Sequence, residues 1–149
     1  MVPDFDSRGN LPPGVHSATW TEFIERFGYT AHRRTLIDGI RSAILPLRAA
    51  GCSTIYINGS FVTDKAAPLD FDAAWATEGV DLERLLALVP VFFRFENKRA
   101  AQKAKFGGEF FPSTTTAGPA GRTFLEFFQI DRGGRAKGIV RINLEDIAL

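Results

Sequence analysis

The sequence has little cysteine, little excess charge and no long hydrophobic run. Its single cysteine, Cys52, excludes an internal disulfide and suits a reducing compartment. Eighteen basic side chains against 17 acidic ones leave a net charge of +1, which favours neither nucleic acid nor an acidic partner. No apolar run approaches the roughly 20 residues of a transmembrane helix, and the first residues lack the features of a signal peptide. We therefore predict a cytoplasmic protein without a membrane span.

The length and the aromatic content indicate a well-packed globular unit. A chain of 149 residues is within the usual range of one domain, and we expect residues 1–149 to form a single domain. Fourteen phenylalanines predict a core rich in aromatic side chains. Residues 1–18 carry three prolines and two glycines between the few apolar positions. This stretch is expected to be an irregular lead-in.

The apolar periodicity predicts the order helix, helix, strand, strand, helix, helix, strand, strand. This order indicates an α/β or α+β domain, a mixed sheet of about four to five strands with helices packed on one face. A polar loop is expected over 112–121, and RGGR is typical of a hairpin turn. The predicted helices run from Thr19 to Gly28, from Thr30 or Ala31 to Gly51, from Asp81 to Pro90 and over 96–106, and the predicted strands cover 53–58, 69–75, 122–131 and 137–144.

Two of these helices carry more detailed expectations. In the second helix, Pro46 removes a backbone donor, so we expect a kink or loosening there before the helix stops. In the third, four apolar residues recur at helical spacing and are expected to face the core. They are Leu82, Leu85, Leu86 and Val89.

The segment GSFVTDKAAPLDFD, residues 59–72, carries the chemistry-bearing residues that lie closest together in the sequence. If 69–75 is a strand, Asp70 and Asp72 point the same way about 7 Å apart, whereas Leu69 faces the core. Two such carboxylates repel each other unless a cation lies between them, and Mg²⁺ favours this kind of oxygen ligand. Gly59 allows close approach of a ligand, and Ser60 can begin a turn that binds phosphate.

The same residues have a simpler interpretation. An Asp-x-Asp pair on an exposed strand is often solvated surface, and Gly-Ser alone is often a turn. The combination is more specific, because it places Gly-Ser after one apolar strand and the two acids in the next. We therefore keep both interpretations.

Glu126 is the candidate for a third acid. On a strand it would share a face with Phe124 and Phe128, where a carboxylate is costly unless it is paired or bound to a metal. An edge strand with Glu126 in water, or an ion pair with Arg141, would explain it equally well. Asp131 is a fallback candidate, although its position beside the turn favours a turn residue.

The segment resembles the polymerase-beta-like (minimal) nucleotidyltransferase superfamily. The motif is Gly-Ser after a strand, then two acids flanking one apolar residue, then a third acid between apolar residues on a later strand, as in FLEFFQ. The resemblance implies that Asp70, Asp72 and Glu126 are catalytic residues that bind Mg²⁺ or Mn²⁺. It also implies phosphate binding by Gly59 and Ser60, and transfer of a nucleoside monophosphate from an NTP to a hydroxyl of RNA, protein or a small molecule.

The resemblance also offers a different class of function. The chain is similar to a group of bacterial proteins that share GNLPPGVH, GSFVT and KGIV-like segments. Small members of the superfamily occur as one half of toxin–antitoxin pairs, so a catalytically idle domain that binds a partner protein is the alternative.

Two sets of basic residues are further candidates. Lys65 lies close enough in sequence to contact phosphate, or it is a solvated loop lysine. The stretch 94–105 carries five basic residues on a predicted helix, where they form either a grip on triphosphate or RNA, or a solvated face.

Overall fold

A computed structural model describes residues 2–147 and contains a five-stranded mixed sheet. The strands lie in the order β1-β5-β2-β3-β4; β2 is antiparallel to β5 and β3, while the two outer pairs are parallel. The predicted fold class is confirmed. The strands are β1 (Gly14–Ala18), β2 (Thr54–Asn58), β3 (Phe71–Trp75), β4 (Gly108–Pro112) and β5 (Gly138–Asn143).

Within residues 2–147, five α-helices accompany the sheet. Most of the predicted helix starts are confirmed by the capping contacts, because Thr19, Thr30 and Asp81 each accept a hydrogen bond from the backbone three residues later. No helix among residues 2–147 is long and apolar enough to cross a membrane. The helices are α1 (Trp20–Phe27), α2 (Ala31–Ala49), α3 (Leu82–Leu88), α4 (Glu96–Phe106) and α5 (Phe124–Phe127).

The interior of α2 follows the sequence pattern. Its apolar stripe is buried, and the helix continues through Pro46 to Ala49 before it ends near Gly51. The missing donor of Pro46 is therefore tolerated one turn from the helix end, where few intrahelical bonds remain to be lost. The expected stop by Gly51 is confirmed.

Several sequence-based expectations about strands and side chains are wrong. The lead-in contains strand β1, and the unpredicted strand β4 follows α4 directly. Leu69 is 84% exposed, because β3 begins two residues later than expected. Leu82 and Leu86 lie on the exposed side of α3, and only Leu85 and Val89 of that set are buried. The short helix α3 therefore buries a narrower set of apolar residues than its helical spacing predicts.

The sheet packs on both faces, but unequally. The large core lies between one face and helices α1 to α4, and it includes Phe71, Ala73 and Phe110. Since strand residues alternate between faces, the opposite face carries Ala74 and Phe111, which belong to a second, smaller apolar cluster. Helix α5 covers this second face.

The predicted strand over 122–131 is wrong, because residues Phe124–Phe127 form helix α5. Thr123 and Glu126 make a capping box, in which each side chain bonds the backbone of the other residue. Phe124 and Phe128 pack on Phe111, with ring centroids 4.3 and 5.6 Å away. The aromatic residues that suggested a strand therefore cover the sheet from above. The following turn is confirmed, with an isolated bridge between residues 130 and 136.

Candidate functional site

Polar side chains gather at one end of the second face of the sheet. Asn58 ends β2, and it pairs in register with Asp72 on β3. Asp72 in turn pairs with Glu109 on β4. Because residues opposite each other on neighbouring strands share a face, the three side chains form a row across the sheet.

A cavity of about 1140 Å³ opens over this end of the sheet. One side is built by the segment between β2 and β3, and the other by residues 122–137. Five of the six residues predicted for the site therefore lie on one cavity. They are Gly59, Ser60, Lys65, Asp70 and Asp72.

Asp72 has an unusual electrostatic environment. Burial, followed by the negative charges of Glu109 and Asp70, raises its pKa from 3.8 to about 6. The positive charges of Lys137 and Lys103 oppose this increase. A carboxyl group whose charged form is disfavoured by burial and by other acids gains most from a bound cation.

Glu109 is the acid that the sequence interpretation missed. Its carboxylate accepts a hydrogen bond from Lys103 Nζ at 2.9 Å, and the same Nζ lies 4.0 Å from Asp70. These contacts raise the pKa of Lys103, first through the hydrogen bond to Glu109. The signal that would have found Glu109 is its position between Gly108 and Phe110, an acid flanked by residues that a strand buries.

Asn58 and Gly59 form the floor of the site. Asn58 is 5% exposed, and its Oδ1 has no hydrogen-bond partner although the residue lines the cavity. A buried acceptor of this kind is costly unless a ligand or water donates to it. Gly59 has a φ of 84°, and an added Cβ would lie 3.3 Å from Asp72 Oδ2. A side chain at position 59 would strain the backbone and crowd the aspartate.

Lys137 is a second residue that the sequence interpretation missed. It precedes β5, lines the cavity and is half-buried. Burial lowers its pKa, while the charges of Asp72 and Asp131 act in the opposite direction. The available signal was its place two residues before buried Ile139, which puts both side chains on the same face of the extended chain. The cavity therefore holds a cation close enough to Asp72 for their charges to interact.

Glu126 does not join the two aspartates. It is exposed, does not line the cavity, and accepts hydrogen bonds from the N and Oγ1 of Thr123 at 3.0 and 3.1 Å. These bonds to Thr123 lower its pKa. The fallback acid Asp131 lines the cavity, but its carboxylate closes its own turn by accepting from the backbone of Gly133 and Arg135.

No residue of the basic stretch 94–105 lines the cavity. Lys103 reaches the acids as described, and the guanidinium of Arg99 lies over the rings of Phe95 and Phe111 at 4.7 and 4.2 Å. Arg94 pairs with exposed Glu96. Lys103 is therefore the residue of this stretch that contacts the acids of the site.

No three His, Cys, Asp or Glu side chains within residues 2–147 form a ready-made metal site. Two carboxylates with phosphate oxygens nevertheless suffice for Mg²⁺. Asp70 and Asp72 supply this pair, and the orphaned Oδ1 of Asn58 is a further oxygen beside them. The donor set therefore fits a hard divalent cation.

Comparison with known proteins gives one match. No curated protein and no solved structure matches the chain. The family model that matches is described as a family of unknown function, DUF6932, and it covers residues 3–143. Because this match spans nearly the whole chain, the protein belongs to the DUF6932 family.

Proposed function

We propose that the protein is a metal-dependent nucleotidyltransferase that moves a nucleoside monophosphate from an NTP to a hydroxyl group. The observation that supports this function is the common cavity of Gly59, Ser60, Asp70 and Asp72. It joins a glycine that permits close approach of phosphate to an acidic pair that a cation would neutralise. A cytoplasmic location, where thiols such as Cys52 stay reduced, is part of the proposal.

The residues of the cavity divide the work. The Ser60 hydroxyl and nearby backbone bind the terminal phosphates, and Lys65 and Lys137 neutralise phosphate charge. The acceptor hydroxyl loses its proton to solvent, and its oxygen bonds to the α-phosphorus. The bond from that phosphorus to the bridging oxygen breaks, and pyrophosphate leaves. Positioning and charge stabilisation lower the barrier without a covalent intermediate.

Asp70 and Asp72 would hold Mg²⁺ or Mn²⁺, with Glu109 as a further negative charge beside them. A divalent cation bound there supplies charge stabilisation at the phosphates during transfer. Lys103, paired with Glu109, sets how much negative charge the cation meets. Lys137 keeps the opposite side of the site positive.

Binding of nucleotide in the presence of Mg²⁺ tests the proposal. We expect calorimetric titration of the wild type with Mg-ATP, and with the other NTPs, to show binding that EDTA abolishes. Asp70→Asn combined with Asp72→Asn is expected to weaken it at least about 100-fold, since two ligands are lost. The matched control is Asp38→Asn. The carboxylate of Asp38 pairs with Arg41 on the exposed face of α2. A wild type without metal-dependent binding would contradict the catalytic function.

Glu109 and Glu126 make opposite predictions for the third acid. Glu109→Gln is expected to weaken Mg-NTP binding about tenfold, because its charge lies beside Asp72. Neither glutamate lines the cavity, but Glu126→Gln is expected to leave binding unchanged, because that side chain caps α5 and its charge is not among those that act on Asp72. The same titration measures both. Weaker binding in Glu126→Gln with unchanged binding in Glu109→Gln would contradict this prediction. It would favour Glu126, which the superfamily resemblance implies as the third acid.

The second candidate is a catalytically idle domain that binds a protein partner, such as one half of a toxin–antitoxin pair. The ion pair between Lys103 and Glu109 favours it, because that lysine already satisfies part of the acidic charge. Mg-NTP titration separates the two functions. A silent titration together with co-purification of a neighbouring gene product would support the idle domain.

A further inference from the structure

Besides the segment that carries the aspartates, residues within 122–137 contribute a large part of the cavity lining, here called the wall. A volume of about 1140 Å³ lies above the range of roughly 300–1,000 Å³ in which a single small ligand is usually bound. If an NTP lies against Gly59 and Ser60, the space beside this wall is left for the acceptor. The side chains of the wall therefore indicate the acceptor's chemistry.

Positive charge dominates this wall. Arg122, Arg132 and Lys137 all line the cavity. The one acid among them, Asp131, directs its carboxylate to the backbone of its own turn. An anionic acceptor is therefore favoured over a neutral one.

An aromatic ring stands among these cations. Phe127, at the end of α5, lines the cavity and is 50% exposed, whereas neighbouring Phe128 is 3% exposed in the second cluster. The centroids of the two rings are 6.5 Å apart, so Phe127 is supported by the buried ring of Phe128. An exposed ring that shares a cavity with arginines is typical of surfaces that stack a base and contact the backbone of a single strand.

We infer that the wall binds a single-stranded nucleic acid as the acceptor, with a base stacked on Phe127 and phosphates at Arg122 and Arg132. This inference rests on the proposed function and names the acceptor class for the same cavity. RNA and DNA both offer the bases and phosphates that this inference requires.

Fluorescence anisotropy with a short labelled RNA, and with DNA of the same sequence, tests the inference. The measurement is made in EDTA without NTP, so it requires no catalysis. Phe127→Ala is expected to weaken binding about tenfold through lost stacking. Arg132→Gln is expected to reduce the slope of log affinity against log salt by about 0.7.

Matched controls lie close by. Phe95 is 52% exposed but outside the cavity, and Arg135 is exposed on the same turn as Arg132 without lining the cavity. Phe95→Ala and Arg135→Gln are expected to bind as the wild type does. Phe127→Tyr keeps a stacking ring and is expected to restore affinity to within about twofold. Circular dichroism confirms that each variant is folded.

The outcomes separate this inference from the proposed function. Absence of binding by the wild type, equal losses in the control variants, or equal affinity for duplex would overturn the nucleic-acid wall. Metal-dependent NTP binding with no oligonucleotide binding would contradict the inference alone. Oligonucleotide binding that depends on Phe127, without any NTP binding, would contradict the proposed nucleotidyl transfer. It would still support binding of nucleic acid by the wall. If only the RNA oligonucleotide binds, the acceptor is RNA. If the RNA and DNA oligonucleotides bind equally, the wall recognises the bases and phosphates that both contain.

Discussion

Replacement of Arg33 by methionine is expected to lower the free energy of unfolding by about 3 to 5 kcal/mol. Arg33 is fully buried, and its guanidinium donates to four backbone oxygens. Methionine removes the donor from all four oxygens, and those of Phe27 and Phe61 lose it in the interior, where each lost bond costs about 1 kcal/mol or more. The other two oxygens are partly exposed, and that of Lys65 keeps a hydrogen bond from the Tyr29 hydroxyl. The acceptors are Phe27, Phe61, Thr63 and Lys65, at 3.2, 2.7, 2.9 and 2.6 Å.

The control is the next residue along the chain. Arg34 is exposed and donates only to the backbone of Gly28, so Arg34→Met is expected to change stability by less than about 1 kcal/mol. Urea unfolding followed by tryptophan fluorescence measures both variants, since Trp75 is buried. Equal, small losses in the two variants would show that the four bonds contribute little.

Arg33 also links stability to the site. Three of its four acceptors lie in the segment that follows Gly59 and Ser60 and returns to Asp70. The guanidinium therefore holds the proposed phosphate-binding segment on α2. In Arg33→Met, any protein that remains folded is expected to bind Mg-NTP more weakly, because the segment loses its anchor.

Replacement of Asp72 by asparagine is expected to stabilise the protein at pH 8, by at most about 3 kcal/mol. Burial first, then Glu109 and Asp70, raise the pKa of Asp72 from 3.8 to about 6, so the folded state disfavours its charged form. Well below pH 3.8 the group is protonated in both states, and it imposes no penalty. As pH rises from 4 to 6 the wild type loses stability, and above pH 6 the full penalty is present.

Thermal unfolding of the two proteins between pH 4 and pH 8 measures this difference. The curves are expected to coincide near pH 4 and to diverge up to pH 6, and added Mg²⁺ is expected to stabilise only the wild type. Asp38→Asn, on an exposed helix face, is expected to change stability by less than about 1 kcal/mol across the range. A variant no more stable than the wild type at pH 8 would contradict the raised pKa.

The fold was predictable where local signals agree. Thr19 and Glu22 form the capping box that their spacing predicts, and the buried stripe of α2 matches its helical period. Gly107 ends α4 in the left-handed conformation that glycine favours. In such elements the sequence pattern and the final packing demand the same residues, so short-range reasoning suffices.

Only the part of the candidate site that comes from residues 59–72 was predictable from the sequence. Gly59, Ser60, Asp70 and Asp72 meet on one cavity because a short connection ties them to adjacent strands. The third acid was not predictable in this way. Aromatic residues around Glu126 suit a buried strand and a helix that covers a sheet equally well, and periodicity over so few residues does not separate them.

The sequence by itself determined the helices with strong caps, the paired aspartates and the glycine before them, because each depends on contacts within a few residues. Only the tertiary structure decided which acid stands beside that pair. Glu109 reaches Asp72 across a parallel strand pair that no local pattern encodes, with Lys103 bonded to it. Glu126 instead satisfies the backbone at the start of α5. Long-range strand pairing brings distant residues together, and the sequence near each residue carries little record of it.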